Sequence, residues 1–365
     1  MVAVTSPPLS LPARPARLAL REVGPNWYAS VMGTAIVANA GVALPGSPTW
    51  LRDACTPVWV LSLLLLAGVL GVRAVRWVKY PADARRDLHD PAVAPFFGCL
   101  AMALLAVGAG APACGRALLG AQAAVGLDAV LWTAGSVCAL VVAVLVPYLM
   151  VVRHRIGLDD ASPVWLLPIV APMVSAALGP ALVPHLPAGQ GREALLLGCY
   201  AMFGMSLLAT LMVLPLVWGR LVRSGPLPVA LTPALFLVLG PLGQSTTAVG
   251  NLADAAPAAV PAPYATALHG FALLYGVPVM GFALLWLAIS LSLVVRAFRH
   301  GMRFSMTWWA FTFPVGTCVT GAASLARHTG LHPLSWLAVA LYAALALTWL
   351  TAATCTLRST LRPAP

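Results

Sequence analysis

Ten apolar stretches follow one another along this chain, at approximately 26–44, 55–77, 95–112, 129–152, 163–183, 194–218, 229–249, 265–296, 305–326 and 334–356. A helix needs about 20 apolar residues to cross the hydrocarbon layer of a membrane. In that layer no water is present to bond exposed backbone groups, so each spanning segment must satisfy its own N–H and C=O groups. The pattern predicts an all-α integral membrane protein of ten transmembrane helices and argues against a soluble globular domain. Charge agrees with it. Only 8% of the 365 residues are charged, against about 25% in a soluble domain, which is too few to cover a water-facing surface.

The charges that remain are sorted. Of the 21 Lys and Arg residues, 17 fall in the two tails and the even-numbered connections, including Arg73, Arg76, Lys79, Arg85 and Arg86 in the second. Four (Arg52, Arg116, Arg192 and Arg327) fall in the odd-numbered ones. Cytoplasmic loops carry such an excess, so both termini are expected in the cytoplasm and the protein in the cytoplasmic membrane. Residues 1–24 read as a mobile cytoplasmic tail, 25–356 as the transmembrane domain and 357–365 as a short C-terminal tail. The net charge of +11 does not indicate a nucleic-acid partner, because the arginines sit between apolar runs rather than on one aromatic-laced face. The expected surroundings are the lipid bilayer. Seven cysteines include no C-x-x-C pair and no Cys/His cluster, so neither a metal nor another cofactor is expected. An enzyme is not expected either, since no H-E-x-x-H or G-x-S-x-G motif occurs.

Odd- and even-numbered stretches differ in character. The odd ones carry helix breakers: Gly33 in the first, Pro168 and Pro172 in the fifth, Pro241 in the seventh and Pro314 in the ninth. The even ones contain smooth runs such as Leu61 to Leu66. Broken helices are tolerated where protein buries them or where they line a cavity. An inner group of odd helices within an outer group of even ones is therefore expected.

All ten acidic residues fall in connections or at helix ends by this division. Cation paths favour acidic rings and proton pumps keep an intramembrane carboxylate, so a small anionic substrate fits better. Three places could contact it. Ser30 and Thr34 share a helix face beside Gly33, either to pack a neighbouring helix or to line a path. Gln244 to Thr247 form a polar patch after Pro241, which lines a path or simply leaves the membrane. Phe313, Thr317 and Thr320 share a face of the ninth stretch, where the ring is either a packing residue or a gate.

Three segments carry a resemblance: Asn26-Trp-Tyr-Ala-Ser-Val-Met-Gly-Thr34, Gly240-Pro-Leu-Gly-Gln-Ser245 and Trp308-Trp-Ala-Phe-Thr-Phe-Pro-Val-Gly-Thr317. They resemble the tellurite-resistance/dicarboxylate transporter family, which includes malate permeases, sulfite pumps and the slow anion channel of plant guard cells. The resemblance implies ten helices arranged as five hairpins around a central pore, with odd helices lining it, in a homotrimer. It also implies a Phe that plugs the pore; Phe313 fits best, with Phe311 as the fallback. The implied function is transport of a C4-dicarboxylate such as malate, of sulfite or of inorganic anions. The alternative is proton-linked export of sulfite or another toxic oxyanion such as tellurite.

Overall fold

A computed structural model describes residues 23–154 and 156–361. The N-terminal tail up to Glu22, Arg155 and residues 362–365 lie outside the described residues, and most of both expected tails with them. Twelve α-helices follow in order: α1 (Tyr28–Ala43), α2 (Thr49–Lys79), α3 (Pro81–His89), α4 (Phe97–Cys114), α5 (Arg116–Leu119), α6 (Ala121–Val152), α7 (Leu166–Leu178), α8 (Gln190–Ser224), α9 (Leu239–Ala255), α10 (Ala262–Arg299), α11 (Phe313–Thr329) and α12 (His332–Leu361). No strand occurs among the described residues. Every apolar stretch of the sequence is helical. Among the described residues eight helical segments, some joining an α-helix to its 3-10 neighbour, are long and apolar enough to cross a membrane; α1 and α11, with 16 and 17 residues, are not among them.

Five helices form the interior. Helix α1 packs on α4, α4 on α7, α7 on α9, α9 on α11 and α11 back on α1, which closes a ring. The long helices α2, α6, α8, α10 and α12 each seat against two consecutive ring helices. In the outer helices 22–33% of the apolar window is buried, against 72–89% in the segments containing α4, α7 and α9. The remaining outer surface is apolar side chain suited to lipid.

Ring helices meet through small residues, which lets backbones approach closely. A Cβ on Gly243 of α9 would collide with the Thr317–Cys318 backbone of α11, and one on Gly33 of α1 would collide with Thr312 and Trp309. Gly33 is thus a packing contact inside an unbroken helix rather than a break. Pro172 likewise lies within continuous α7, where it forgoes only the bond to the Pro168 carbonyl. Pro168, Pro241 and Pro314 occupy the first turn of α7, α9 and α11, where no intrahelical partner awaits their missing N–H. Each ring helix is entered through a 3-10 segment: Pro25–Trp27, Ala94–Phe96, Pro163–Trp165, Val229–Val238 and Met306–Phe311. Three of the five breakers, Pro168, Pro241 and Pro314, therefore mark where helices begin.

Outer helices are pinned to the ring by indole N–H groups. Trp59 of α2 donates to the Val107 carbonyl, Trp132 of α6 to Ser175 and Trp286 of α10 to Leu235, each at 3.0 Å. Trp349 of α12 donates to the Thr34 hydroxyl at 3.1 Å. Buried away from water, such donors leave no competing partner and hold each helix at one height.

Two charge assignments change. Arg73 and Arg76, expected in a connection, lie within α2, buried, and pair with Asp87 of α3. Arg73 Nη1 is 2.9 Å from Asp87 Oδ2; Arg76 Nη2 is 3.0 Å from Oδ1, with its Nη1 on Oδ2 closer still. Both arginines also donate to the Val23 carbonyl. A helix extended past the membrane by this amphipathic partner accounts for the difference. Asp128, expected at a helix end, is buried within α6 beside Gly108 of α4, whose missing side chain leaves the carboxylate its space.

Candidate functional site

The N-terminal ends of the five ring helices gather at one place. Met32, Cys99, Leu167, Leu237 and Trp309, one from each ring segment, line a single cavity of about 20 Å³ there, enough for about one water. The lining is apolar apart from Thr307 and carries no acid. A helix N-terminus bears a partial positive charge of about half an elementary unit, so five of them directed at one point favour an anion without any fixed charge. Within the ring helices the only acidic residue is Asp254, close to the far end of α9.

One turn beyond the cavity stands Phe313, the first residue of α11, buried at 3% exposure. Its direction follows from its neighbours. Helix α11 meets α9 through Thr317, Gly321 and Ser324, and α1 through Gly316. At 100° per residue, Phe313 and Thr320 project between those two directions, toward the middle of the ring. Phe313 meets no other ring among the described residues. Phe311 projects the opposite way. It packs edge-on against Phe236 at 4.8 Å, lies 6.1 Å from Trp308, and forms part of a crevice of about 410 Å³ between α10 and α12.

Of the other expected contact residues, the structure brings four together. The Thr247 and Thr320 hydroxyls meet at 2.7 Å across α9 and α11, each also 3.0 Å from a carbonyl of its own helix. The Thr317 hydroxyl lies 2.7 Å from the Pro314 carbonyl and 3.3 Å from that of Leu239. Gln244 is buried one turn before Thr247, and its Oε1 has no partner among the described residues. Ser30 and Thr34 stand apart from this group. The Ser30 hydroxyl donates to the Trp27 carbonyl at 2.7 Å, and Thr34 donates to the Ser30 carbonyl at 2.8 Å while accepting from Trp349. Both face a crevice of about 520 Å³ between α1, α2 and α12.

Two amides were missed by the reading of motifs. Asn39 of α1 donates to the Ala106 carbonyl of α4, and Asn251 of α9 to the Ala177 carbonyl of α7, both at 2.8 Å. Each is half-buried and bridges adjacent ring helices in the half of the ring away from the cavity. Their signal in the sequence is a single amide within an otherwise apolar helix, where an unpaired polar group costs several kcal/mol.

The family model described as voltage-dependent anion channel (SLAC1) matches residues 22–357. An uncharacterized transporter of Methanocaldococcus jannaschii, MJ0576, is 26% identical over 331 residues, covering 90% of this chain and 91% of that protein. The sulfite efflux pump SSU1 of Arthroderma otae is 26% identical over 322 residues, covering 85% and 84% respectively. SSU1 of Candida albicans is 24% identical over 319 residues, covering 82% of this chain and 65% of that pump. A multi-pass bundle of apolar helices, matched by one family model across nearly its whole length, belongs to the SLAC1 anion-channel family, the tellurite-resistance/dicarboxylate transporter group that its motifs resemble.

Proposed function

We propose that this protein carries small anions, sulfite foremost, along the axis of the inner ring, and that the Phe313 side chain closes that path. The observation that carries the reading is the convergence of five helix N-termini on one narrow apolar cavity, with Phe313 standing over it. Thr247, Thr317, Thr320 and Gln244 are the polar side chains along the way. Thr34, which accepts from Trp349 of α12, holds the outer ring in place, and Ser30 lies one turn before it on the same crevice. The relatives named as sulfite efflux pumps favour sulfite over malate, tellurite or inorganic anions, and favour export. In this reading α1 and α11 cross with the other eight as ten spans in five hairpins, residues 25–356 are the transport unit, and three copies assemble.

The test is flux of labelled sulfite, malate and chloride in proteoliposomes, with reversal potentials measured under imposed gradients. The expected reversal potential follows the anion gradient, with sulfite carried fastest. One that follows potassium would overturn the reading. Proton-linked export is separated by imposing a pH gradient at zero membrane potential, which drives sulfite only if protons move with it.

Topology is tested separately. In this reading both termini and Arg85 face the cytoplasm, which the 17-to-4 asymmetry of basic residues supports. A cysteine at Arg85 should resist an impermeant reagent added outside, and one at Asp254 should react. Outside labelling at position 85 would invert the arrangement.

A further inference from the structure

The ring helices all begin at the same end, so their C-termini meet at the other. Each C-terminus carries about half a negative elementary charge. An anion crossing this mouth meets an unfavourable field unless something offsets it. Four basic residues belong to this end: Arg52, Arg116, Arg192 and Arg327. Arg52 Nε donates to the Ser47 hydroxyl at 2.8 Å. Arg192 is spent on carbonyls of the segment that follows α7, with Leu186 at 2.8 Å and Pro184 at 3.3 Å. Arg327 is different. Arg52 and Arg116 are exposed too, but on α2 and α5 outside the ring, whereas Arg327 is exposed on the α11 face that carries Phe313 and Thr320, at successive seven-residue steps. Seven residues rise about 10 Å and drift only about 20° around the helix, so the three side chains form one line along the path. Its Nη1 stands 3.5 Å from the carbonyl of Ala43, the last residue of α1, which places the guanidinium at the seam between these two ring helices at their C-terminal end.

No carboxylate neutralises Arg327 among the described residues. Asp254 at the end of α9, the acid of the ring helices, faces His328 instead. Its Oδ1 is 3.1 Å from His328 Nε2, off the line of a good hydrogen bond, while Nδ1 of the same ring is 2.8 Å from the Ser324 carbonyl.

We propose that Arg327 is the anion-collecting residue of this mouth: its guanidinium offers charge and forked N–H donors to a compact oxyanion passing between Thr320 and the outside. The proposal rests on the anion-path reading given above. Asn39 and Asn251, whose amides each retain a second N–H, lie on the way down.

The experiment compares initial sulfite flux through the wild-type chain, Arg327→Gln, Arg327→Lys and Arg192→Gln in proteoliposomes at low and high ionic strength, alongside thermal unfolding in detergent. Electrostatic collection raises local anion concentration, so Arg327→Gln should lower flux by about tenfold at low salt. The deficit should close near 1 M salt, where the Debye length falls to about 3 Å. Arg327→Lys should keep most of the flux, Arg192→Gln should match the wild type, and the unfolding midpoint of Arg327→Gln should stay in place. Flux unchanged in Arg327→Gln at low salt overturns the proposal. So does an equal loss at every salt concentration with a lower midpoint, which would make Arg327 a cap on α1. Failure of the path reading looks different. A gain of flux in Phe313→Ala with none lost in Arg327→Gln keeps the path and removes the collecting role. Salt-dependent loss at Arg327 without a gain at Phe313 keeps the mouth and removes the gate.

Discussion

Phe313→Ala should raise anion flux on the order of tenfold or more, because an apolar plug in a narrow path acts by excluding water as well as ions. The ring stands over a cavity with room for about one water, projects between α9 and α1, and packs against no other aromatic among the described residues. Truncation leaves open space along the axis instead of an opening toward lipid. Flux of labelled sulfite and single-channel recording both read the outcome. If Phe313 only fills the core, the same change costs about 3–5 kcal/mol, lowers the melting temperature and adds no flux. Phe311→Ala separates the two cases. That ring is held by Phe236 and Trp308 and faces the α10–α12 crevice, so its loss should weaken packing and leave flux unchanged. A gain of flux in Phe311→Ala and not in Phe313→Ala would move the gate to the other ring.

The largest expected loss of stability lies at Asp87. Its carboxylate holds two buried guanidinium groups, at Arg73 and Arg76, which are 4% and 5% exposed. Asp87→Asn keeps the shape but removes the charge, leaving two cations side by side with only the Val23 carbonyl between them. Removing one partner of a buried ion pair costs about 3–5 kcal/mol. The melting temperature in detergent should fall by on the order of 10 °C. The double variant Asp87→Asn/Arg76→Gln should recover part of that loss, since it removes one of the stranded charges; no recovery would show that the residues are not energetically coupled. The network joins the end of α2 to α3 and to the strand of chain entering α1, so the variant also tests whether α3 fixes the start of the ring.

Much of this molecule was legible in the sequence. The apolar stretches became helices because a membrane leaves backbone groups no partner outside their own segment. The contrast between Pro- and Gly-bearing stretches and smooth ones separated ring from periphery, because a helix that touches lipid needs no close backbone approach while one held among five neighbours does. The pairing of Thr247 with Thr320 and the separate positions of Phe311 and Phe313 were not legible. Nor was the placement of Ser30 and Thr34 against α12, or of Asn39 and Asn251 within the ring. A ring helix is surrounded by apolar neighbours on every side, so its sequence shows no polar stripe to mark which face looks inward. Arg73, Arg76 and Asp128 were misplaced for a related reason, since hydropathy locates charges along the chain but does not show whether another helix covers them. Segment lengths and the sorting of charge were set by the bilayer and could be read one helix at a time. The direction each side chain faces was decided only when α1, α4, α7, α9 and α11 closed on one another, because facing is a property of neighbours distant in the chain.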